Sequence, residues 1–425
     1  MGFQATANWE IRATGNANNG GGFNDRIPGT SVDYSQQNAS QLSIADLACA
    51  AGSVTVTSAA AGFTAAMVGN YMRIRAGANF TVGFYEIVQF NGVGSVNLDR
   101  VPVTGVGANG VAEVGGAQIQ ISAVVWGAFV SGNTAFVKSG TYAAHPVITI
   151  GSTTALLTKN IVGYDVARGD NPTGNNRPLI QMGANSITST SFPATFRLRN
   201  IRIEGSAPVY IGGNLIQALL ENVKIINTAV AGTVYCVQAS DPTEVMLNVT
   251  DCEFLGTAGA TSYGIRINGQ LTAINSQFHD LTYGASLGSL AVSQVNLLFC
   301  IFNRIGQSGL RQEGASNISA CVINNTFANC GRAGVQLNSD YSLIMNNTFS
   351  DCVTAGIDMP SNPFMAKNNN FFGCGVPVIC LALYPLRLCD NNIYVSPQFV
   401  TPGSVYALQR TSGLIDRAFS MRLGV

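Results

Sequence analysis

The most restrictive feature of this 425-residue sequence is a repeat of 22 to 25 residues in its C-terminal half. The segment INNTFANCGRAGVQLN, residues 323–338, returns 22 residues later as MNNTFSDCVTAGIDMP, residues 345–360. One aromatic residue marks each copy: Phe254, Phe278, Phe302, Phe327, Phe349, Phe371 and Tyr394. A unit of this size, made of short β-like runs between Gly, Asn and Ser, cannot bury its own apolar face, so it must stack on its neighbours.

The repeat predicts the fold class. Because each unit contains only strands and turns, we predict an all-β, single-stranded, right-handed parallel β-helix over residues 141–401. Leucine-rich repeats have a similar period, but their Leu-x-x-Leu-x-Leu-x-x-Asn spacing is absent. Weaker copies around Ile161, Ile203 and Ile225 extend the pattern upstream. We expect roughly eleven coils, each rising about 4.8 Å.

Equivalent residues of successive coils stack in such a solenoid, so a repeated residue becomes a ladder. The marker Phe side chains are expected to form one interior stack. Asparagines stand two residues before the later markers, at Asn325, Asn347, Asn369 and Asn392. We expect an amide ladder in which each carbonyl accepts from the next coil. Asn also tolerates the left-handed backbone of a tight corner.

Two further columns follow from the same period. Glycines recur at Gly264, Gly284, Gly309, Gly334 and Gly356, which suits turns that admit no Cβ atom. Three residues after the marker stand Leu281, Ile305, Cys330, Cys352 and Cys374. Since Cys shares this column with Leu and Ile, we predict buried free thiols, which fit assembly in a reducing cytosol. No C-x-x-C pair or Cys/His cluster is present, so no zinc site and no cofactor are expected.

Charge excludes several partners. Only 10% of the residues are charged, and the formal net charge is zero. The sequence therefore lacks the basic surface that binds nucleic acid or an anionic membrane. No apolar run reaches the roughly 18 residues of a membrane span, so insertion into a membrane is not expected.

The sequence outside the repeat divides into three N-terminal segments and one short C-terminal segment. Residues 1–35 contain a strand and a Gly/Asn-rich loop, WEIRATGNANNGGGF. Residues 36–115 form an inserted β-module with four strand candidates, SVTVTSA, NYMRIRAG, FYEIVQF and SVNLDRV. Residues 116–140 are a capping segment. Residues 402–425 form a C-terminal cap or tail, in which Leu414, Ile415, Ala418 and Phe419 have helical spacing.

The front of the chain resembles a known family. WEIRATGNANNGGGF and GNTAFVKSGTY, residues 132–142, are similar to the N-terminal part of pectate-lyase-like β-helix proteins, including bacteriophage tailspikes. The inserted module resembles segments of virion-associated phage proteins. The resemblance implies a virion surface protein, assembled in the host cytoplasm, that contacts other virion proteins and adheres to a host-envelope glycan.

Two alternatives remain open: a polysaccharide depolymerase (glycoside hydrolase or lyase) of the same fold, and a head-decorating structural virion protein without a host ligand. Catalytic residues cannot be assigned. Asp280 and Asp351 share a column but lie three coils apart, nearly 15 Å at strand spacing. Asp251 and Glu253 face one groove only through neighbouring coils. Asn-Thr-Asp and Gly-His-Gly, typical of polygalacturonases, are absent, so an enzyme is less favoured than an adhesin.

Candidate ligand-binding residues are few. Arg311 and Asp358 occupy one column, two places after the Gly, with Arg266 in an earlier coil. Salt bridging on a solvated face is the alternative interpretation of this column. The loop residues Asn16, Asn18 and Asp25 could bind Ca²⁺, but with one carboxylate a plain turn is favoured, and no metal site is predicted.

The two histidines give no catalytic signal. His145 and His279 are isolated in the sequence, so a catalytic dyad is not expected.

Ile301 and Ile393 precede their markers in a column shared with Glu253, Gln277 and Thr326. With a mean hydropathy of +0.23, such apolar outward positions indicate an interface. Resemblance to tailspikes implies a homotrimer; in the alternative, a monomer, other segments cover these residues.

Overall fold

The computed structural model describes residues 7–25, 29–121, 132–150, 158–189, 194–211, 216–239, 245–257, 260–288, 292–314, 317–338, 342–360, 364–380, 387–390, 392–393, 399–401 and 405–408. The chain divides into two compact units. Unit 1 comprises Met1–Gln181 and Thr195–Ile201, and unit 2 comprises Met182–Ala194 and Arg202–Val425. Among the described residues, no helix has the length and apolar character needed to cross a membrane.

Unit 1 begins with a short hairpin and a closed six-stranded antiparallel barrel. The hairpin strands are β1 (Asn8–Ile11) and β2 (Gly22–Phe23). The barrel strands are β3 (Leu42–Cys49), β4 (Thr55–Thr57), β5 (Tyr71–Phe80), β6 (Gly83–Gly92), β7 (Ser95–Leu98) and β8 (Val103–Val114), paired in the order β3-β4-β7-β6-β5-β8. The four strand candidates correspond to β4 to β7. The sequence pattern missed β3 and β8, which are rich in Ala and Gly and pair across about 65 residues of chain.

Strands β9 to β39 build the coils, and β40 and β41 form an antiparallel pair. Three short 3₁₀ turns also occur, at Tyr34–Gln36, Ala65–Met67 and Gly174–Asn176. The strands are β9 (Thr134–Lys138), β10 (Thr141–Tyr142), β11 (Ile148–Ile150), β12 (Lys159–Tyr164), β13 (Leu179–Gly183), β14 (Ile187–Ser189), β15 (Ala194–Arg199), β16 (Arg202–Gly205), β17 (Val209–Ile211), β18 (Ile216–Glu221), β19 (Lys224–Asn227), β20 (Thr233–Ala239), β21 (Val245–Thr250), β22 (Glu253–Leu255), β23 (Thr261–Ile267), β24 (Gly269–Ile274), β25 (Gln277–His279), β26 (Tyr283–Leu287), β27 (Val292–Leu298), β28 (Ile301–Ile305), β29 (Leu310–Gln312), β30 (Asn317–Ile323), β31 (Thr326–Cys330), β32 (Ala333–Gln336), β33 (Ser342–Met345), β34 (Thr348–Ser350), β35 (Ala355–Asp358), β36 (Phe364–Lys367), β37 (Asn370–Phe372), β38 (Val376–Ile379), β39 (Arg387–Asp390), β40 (Phe399–Thr401) and β41 (Val405–Leu408).

In unit 1, β1, β9, β12 and β15 are parallel neighbours in one sheet. The Glu10 carboxylate on β1 is fully buried beneath polar partners. It receives bonds from Arg12 Nε at 2.7 Å, from Arg168 Nε at 2.8 Å and from the Tyr164 hydroxyl. Arg168 also contacts Asp33 at 2.7 Å. Since removing one partner from such a network would leave a buried charge unpaired, this cluster rigidifies unit 1.

In unit 2, each coil contributes one strand to each of three parallel sheets. Side chains alternate between the interior and the surface along these strands, as in β21, where Val245, Leu247 and Val249 are buried. The sheets are sheet I (β18, β21, β24, β27, β30, β33, β36, β39), sheet II (β16, β19, β22, β25, β28, β31, β34, β37) and sheet III (β14, β17, β20, β23, β26, β29, β32, β35, β38). The described strands form about nine turns, so the expectation of eleven coils was too high.

The marker phenylalanines form a continuous interior stack on sheet II. Ring centroids of successive residues from Phe254 to Phe371 lie 4.6 to 5.1 Å apart, and five of the six rings are fully buried. From Phe278 onward, neighbouring rings are within 9° of parallel. This spacing is the strand separation of a parallel sheet, so the coil rise dictates the ring contacts. The last marker, Tyr394, lies outside the described residues.

The asparagine ladder is continuous. Asn347 Oδ1 accepts from both Asn325 N at 2.8 Å and Asn325 Nδ2 at 3.0 Å, and Asn369 and Asn392 continue the pattern. Each Nδ2 also donates to a backbone carbonyl of an earlier strand, as from Asn347 to Val322 O at 2.8 Å. The left-handed residue of the corner, however, is the one before the ladder, such as Asn324 with φ 59°. The expectation that the ladder asparagines take this conformation was wrong.

The glycine column has a different cause from the one expected. These glycines lie within or beside the strands of sheet III, and none has a positive φ. A Cβ atom on any of them would come 2.4 to 2.8 Å from a Phe ring, as at Gly309 with Phe327. The column therefore consists of glycines because the Phe rings occupy the space that a side chain would need, and not because the backbone turns there.

The cysteine column is interior. Cys330 and Cys352 are fully buried, Cys374 is half-buried, and all three are free thiols. Burial raises the pKa of Cys236 and of Cys300 to about 12, so these thiols stay protonated. The predicted C-terminal helix around Leu414 lies outside the described residues.

Candidate functional site

The predicted ligand-binding residues lie in one outward column of sheet III. Register places Arg266 opposite Ser286, Ser286 opposite Arg311, Arg311 opposite Gln336, and Gln336 opposite Asp358. Their neighbours along the strand, such as Ile265 and Leu310, point inward and are fully buried. The column therefore brings Arg266 and Arg311 within two coils of each other and leaves Asp358 two coils further on.

A ladder of three tyrosines, here called the tyrosine ladder, runs beside this column. Ring centroids of Tyr235 and Tyr263 lie 5.1 Å apart, and those of Tyr263 and Tyr283 lie 4.8 Å apart. The Arg311 guanidinium lies over the Tyr283 ring, 4.4 Å from its centroid, and caps the stack. Tyr235 and Tyr283 are partly exposed, whereas Tyr263 between them is only 8% exposed, so the ladder reaches the surface chiefly at its two end residues.

Glu313 links Arg266 and Ser286 on this surface through hydrogen bonds. Its Oε2 accepts from Arg266 Nη2 at 2.8 Å and from Nε at 3.1 Å, and its Oε1 accepts from Ser286 Oγ at 2.8 Å. Arg266 also donates to the Tyr235 hydroxyl at 3.4 Å. Sequence reasoning missed Glu313 because it follows β29 and shares no repeat column with Arg266.

The two other predicted residues differ in environment. No carboxylate forms an ion pair with Arg311 in the part of the chain that the structure describes. Its guanidinium is instead stabilised by a cation–π contact with the Tyr283 ring. Asp358 is buried, with 7% of its surface exposed, and Arg332 Nη2 lies 3.7 Å from its Oδ2. The column is therefore not bridged by its own members, and Asp358 is not on a solvated face.

A second charged group spans the outward surface of sheet II. Lys224 Nζ and His279 Nε2 lie 2.9 and 2.8 Å from Glu253 Oε1, and His279 Nδ1 lies 3.1 Å from Asp280 Oδ2. Arg304 binds Asp280 with Nε and Nη2, both at 2.6 Å. His279 therefore lies between Glu253 of the preceding coil and the adjacent Asp280, contacts that the sequence did not indicate.

These contacts shift the ionisation of the group. Hydrogen bonds, first from His279 and then from Lys224, lower the pKa of Glu253 to about 2. Hydrogen bonds from Arg304 and His279 lower the pKa of Asp280. Burial favours the neutral imidazole, but bonds to Glu253 and Asp280 outweigh it and raise the pKa of His279. Both carboxylates are therefore ionised at neutral pH.

A cavity of about 480 Å³, here called the corner cavity, opens where sheet II turns into sheet III. Asp280 and Arg304 contribute an ion pair to its wall, and the hydroxyl groups of Ser262 and Thr282 hydrogen-bond the backbone of the same corner. Its lining residues are Gly256, Thr257, Ala260, Ser262, Asp280, Leu281, Thr282, Arg304 and Gly306. Thr282 and Ser262 immediately precede tyrosines of the ladder, so the cavity borders the tyrosine ladder.

The N-terminal loop is a turn in the structure. Asn16 Oδ1 accepts from Asn18 N at 2.9 Å, and both residues line a cavity of about 350 Å³ in unit 1 that contains Glu113 rather than Asp25. Among the described residues, no group of three or more His, Cys, Asp and Glu side chains could hold a metal ion. His145 is buried in unit 1, and burial lowers its pKa.

Comparison with known proteins supports the fold. The family model of the right-handed β-helix region matches residues 222–397, so the predicted right-handed β-helix is confirmed. The barrel of β3 to β8 confirms the small N-terminal β-module. A comparison with curated proteins finds no match.

Several solved structures are similar at low identity. Pectate lyase Pel9A has a TM-score of 0.41 at 11% identity, over 70% of this chain and 85% of the lyase. The GH136 lacto-N-biosidase from Eubacterium ramulus has a TM-score of 0.36 at 11% identity, over 66% and 64% of the two chains. The tailspike protein gp49 from Pseudomonas phage LKA1 has a TM-score of 0.33 at 11% identity, over 84% and 62%. Similarities at these TM-scores say nothing about a shared activity.

Proposed function

We propose that this protein is a bacteriophage virion surface protein that binds a host-envelope polysaccharide without cleaving it. The observation that carries the proposal is the outward surface of sheet III, where the tyrosine ladder lies beside Arg266 and Arg311. The resemblance of the N-terminal segments to phage tailspikes and virion-associated proteins supports the place on the virion, next to other virion proteins, after assembly in the host cytoplasm.

The chemistry of this surface suits a polysaccharide. A sugar ring has apolar C–H groups and many hydroxyls, so it pairs with aromatic bodies and with planar polar side chains. Tyrosine hydroxyls both donate and accept, whereas guanidinium groups only donate. The Glu313 bonds and the stacking on Tyr283 hold both guanidinium groups in place before a ligand arrives. Such preorganisation lowers the entropic cost of binding.

The ionisation of Glu253 and Asp280 speaks against a hydrolytic site formed by this pair. A glycoside hydrolase needs a carboxylic acid whose pKa is raised enough to protonate the leaving oxygen. The carboxylates nearest the corner cavity and the sheet II surface are Asp280 and Glu253, and the pKa of each is lowered. Neither can supply a proton at neutral pH, so this pair does not form a hydrolytic site.

The binding proposal is tested on an array of bacterial surface polysaccharides with the labelled full-length protein. We expect binding to at least one polysaccharide, weakened about tenfold or more by Arg311→Gln or Tyr283→Ala. Lys367→Gln on sheet I removes the same charge from another face and should leave binding unchanged. If the wild type binds none, or if Lys367→Gln weakens binding equally, the proposal is wrong.

Incubation with the bound polysaccharide separates adhesion from depolymerisation. Size-exclusion chromatography should show chains of unchanged length. Shorter chains would establish the alternative, a depolymerase of the same fold. A protein that binds no polysaccharide but is found on phage heads by immuno-electron microscopy would instead be a structural decoration.

We also propose a homotrimer, in which outward apolar side chains are buried between copies. Ile301 is half-buried on the surface of sheet II, and Val353 and Phe372 are 68% and 41% exposed. Closed symmetry covers such a surface without fibre growth. Sedimentation equilibrium should give a mass near three times 44.4 kDa, and a single species near 44.4 kDa at micromolar concentration would contradict the trimer.

A further inference from the structure

Arg304, in the wall of the corner cavity, is a residue type that its position in the repeat disfavours. The corner position after sheet II has a left-handed backbone in successive coils, with φ between 50° and 64°. The residues there are Asp280, Arg304, Asn329, Asp351 and Gly373. Asn, Asp and Gly adopt this conformation readily, whereas Arg does so at a cost. Phe299 has the same backbone conformation, but Arg304, unlike Phe299, lines the corner cavity, and strained residues at a cavity mark a candidate ligand site.

The contacts of Arg304 show where a ligand would bind. Its guanidinium makes a two-point contact with Asp280 at the wall of the corner cavity, and 49% of its side chain is exposed. Together the pair offers an acceptor and a donor side by side in the wall of the cavity. The Thr282 hydroxyl, which also lines it, donates to Ala260 O and accepts from Ser262 N, so the ion pair is the main polar group available to a ligand.

The remaining wall leaves space for a compact polar molecule. Gly256, Ala260 and Gly306 carry small side chains or none, so the volume of about 480 Å³ is open rather than filled. A cavity with a paired donor and acceptor in its wall and small residues around them matches a ring bearing neighbouring hydroxyl groups.

We infer that the corner cavity binds one monosaccharide unit, with the Asp280–Arg304 pair hydrogen-bonding two neighbouring hydroxyls of its ring. The inference rests on the proposed function in one respect, since it takes the ligand to be part of the same polysaccharide. Because the cavity borders the tyrosine ladder, a chain lying on the ladder can place one unit or branch in the cavity. The cavity then selects among sugars, while the ladder supplies general affinity.

Two variants remove the cavity in different ways. Arg304→Asn removes the pair and installs a residue suited to the corner. Gly306→Leu fills the space, and a Cβ atom there would meet its nearest neighbours, Leu281 O and Thr282 Cα, at an ordinary 3.7 Å. The control is Phe299→Asn, which relieves the same left-handed strain just before β28, where φ is 59°, and outside the corner cavity.

The measurement is saturation-transfer NMR with a panel of methyl glycosides of glucose, galactose, rhamnose and N-acetylglucosamine in millimolar excess. We expect at least one glycoside to bind the wild type and Phe299→Asn, and to lose about tenfold or more in affinity with Arg304→Asn and with Gly306→Leu. The unfolding midpoint of Arg304→Asn should not fall, which separates lost binding from lost folding.

Two results would overturn the inference: no glycoside binds the wild type, or binding survives both cavity variants. Polysaccharide binding on the array is measured on the same preparations. Polysaccharide binding that depends on Arg311, without glycoside binding, would refute the cavity and keep the proposed function. Glycoside binding that depends on Arg304, without polysaccharide binding, would keep the cavity and refute the proposed function.

Discussion

Gly334 lies against the ring of Phe349 so closely that an added Cβ atom would come 2.4 Å from the ring carbon Cδ1. The same contact recurs between Gly309 and Phe327 at 2.5 Å and between Gly356 and Phe371 at 2.4 Å. The phenylalanine stack and the glycine column are therefore one packing unit. A side chain at the glycine would have to displace a ring that its neighbours hold on both faces.

Gly334→Ala is therefore expected to lower the free energy of unfolding by about 1–3 kcal/mol, the usual cost of overpacking a core. Urea denaturation gives the value. Gly306→Ala is the matched control, because its Cβ atom would meet nothing closer than 3.7 Å and stability should hardly change. Adding Phe349→Leu to Gly334→Ala should recover part of the loss. Equal stability of Gly334→Ala and the wild type would disprove the steric account.

Phe327→Ala removes one fully buried ring from the middle of the stack. We expect a loss of about 3–5 kcal/mol in the free energy of unfolding, since the rings above and below cannot close the cavity without changing the coil rise. Phe327→Leu, which keeps most of the volume, should cost clearly less. A loss below about 1 kcal/mol for the alanine variant would show that the coils relax around the gap.

Phe299→Asn should stabilise the protein by about 1 kcal/mol. Phe299 is 56% exposed and has φ 59°, at a corner where other coils carry residues such as Asn275 and Asn324. Asn adopts this conformation at lower cost, and little burial is lost. The reverse change, Asn324→Phe, should destabilise by a similar amount, and thermal unfolding of both variants checks the sign.

His279 makes stability depend on pH. Its pKa is raised in the folded state, so its contribution is fully present below the unfolded value of about 6.5 and is lost as the pH rises through the folded value. His279→Gln should therefore flatten the fall in stability above about pH 6.5. His145 titrates in the opposite sense, because burial lowers its pKa, so wild type and variant must be compared at each pH.

The cysteines should all be reduced in the native protein. Thiol titration of protein unfolded in denaturant without reductant should count nearly all of the ten cysteines in the sequence. The free thiols at Cys236, Cys330 and Cys352, all buried in the interior, motivate this expectation. Recovery of only a few thiols would mean disulfides and an oxidising compartment.

The repeat contains enough information to predict every contact between equivalent residues. Since successive coils are related by one strand spacing, a residue repeated at the period must lie on its own copy. The Phe stack, the Asn ladder and the shared column of Arg266, Arg311 and Asp358 could therefore be predicted from the sequence. The function could not be predicted in the same way, because the repeated residues serve the fold.

The tertiary structure decided the contacts between residues that are not equivalent. Glu313 reaches Arg266, which lies two coils away in another column, and His279 bridges Glu253 and Asp280. These contacts depend on side-chain length, rotamer and corner geometry, none of which the period encodes. The left-handed conformation of Asn324 rather than Asn325 and the pairing of β3 with β8 were likewise decided by hydrogen bonds that form only when distant strands meet.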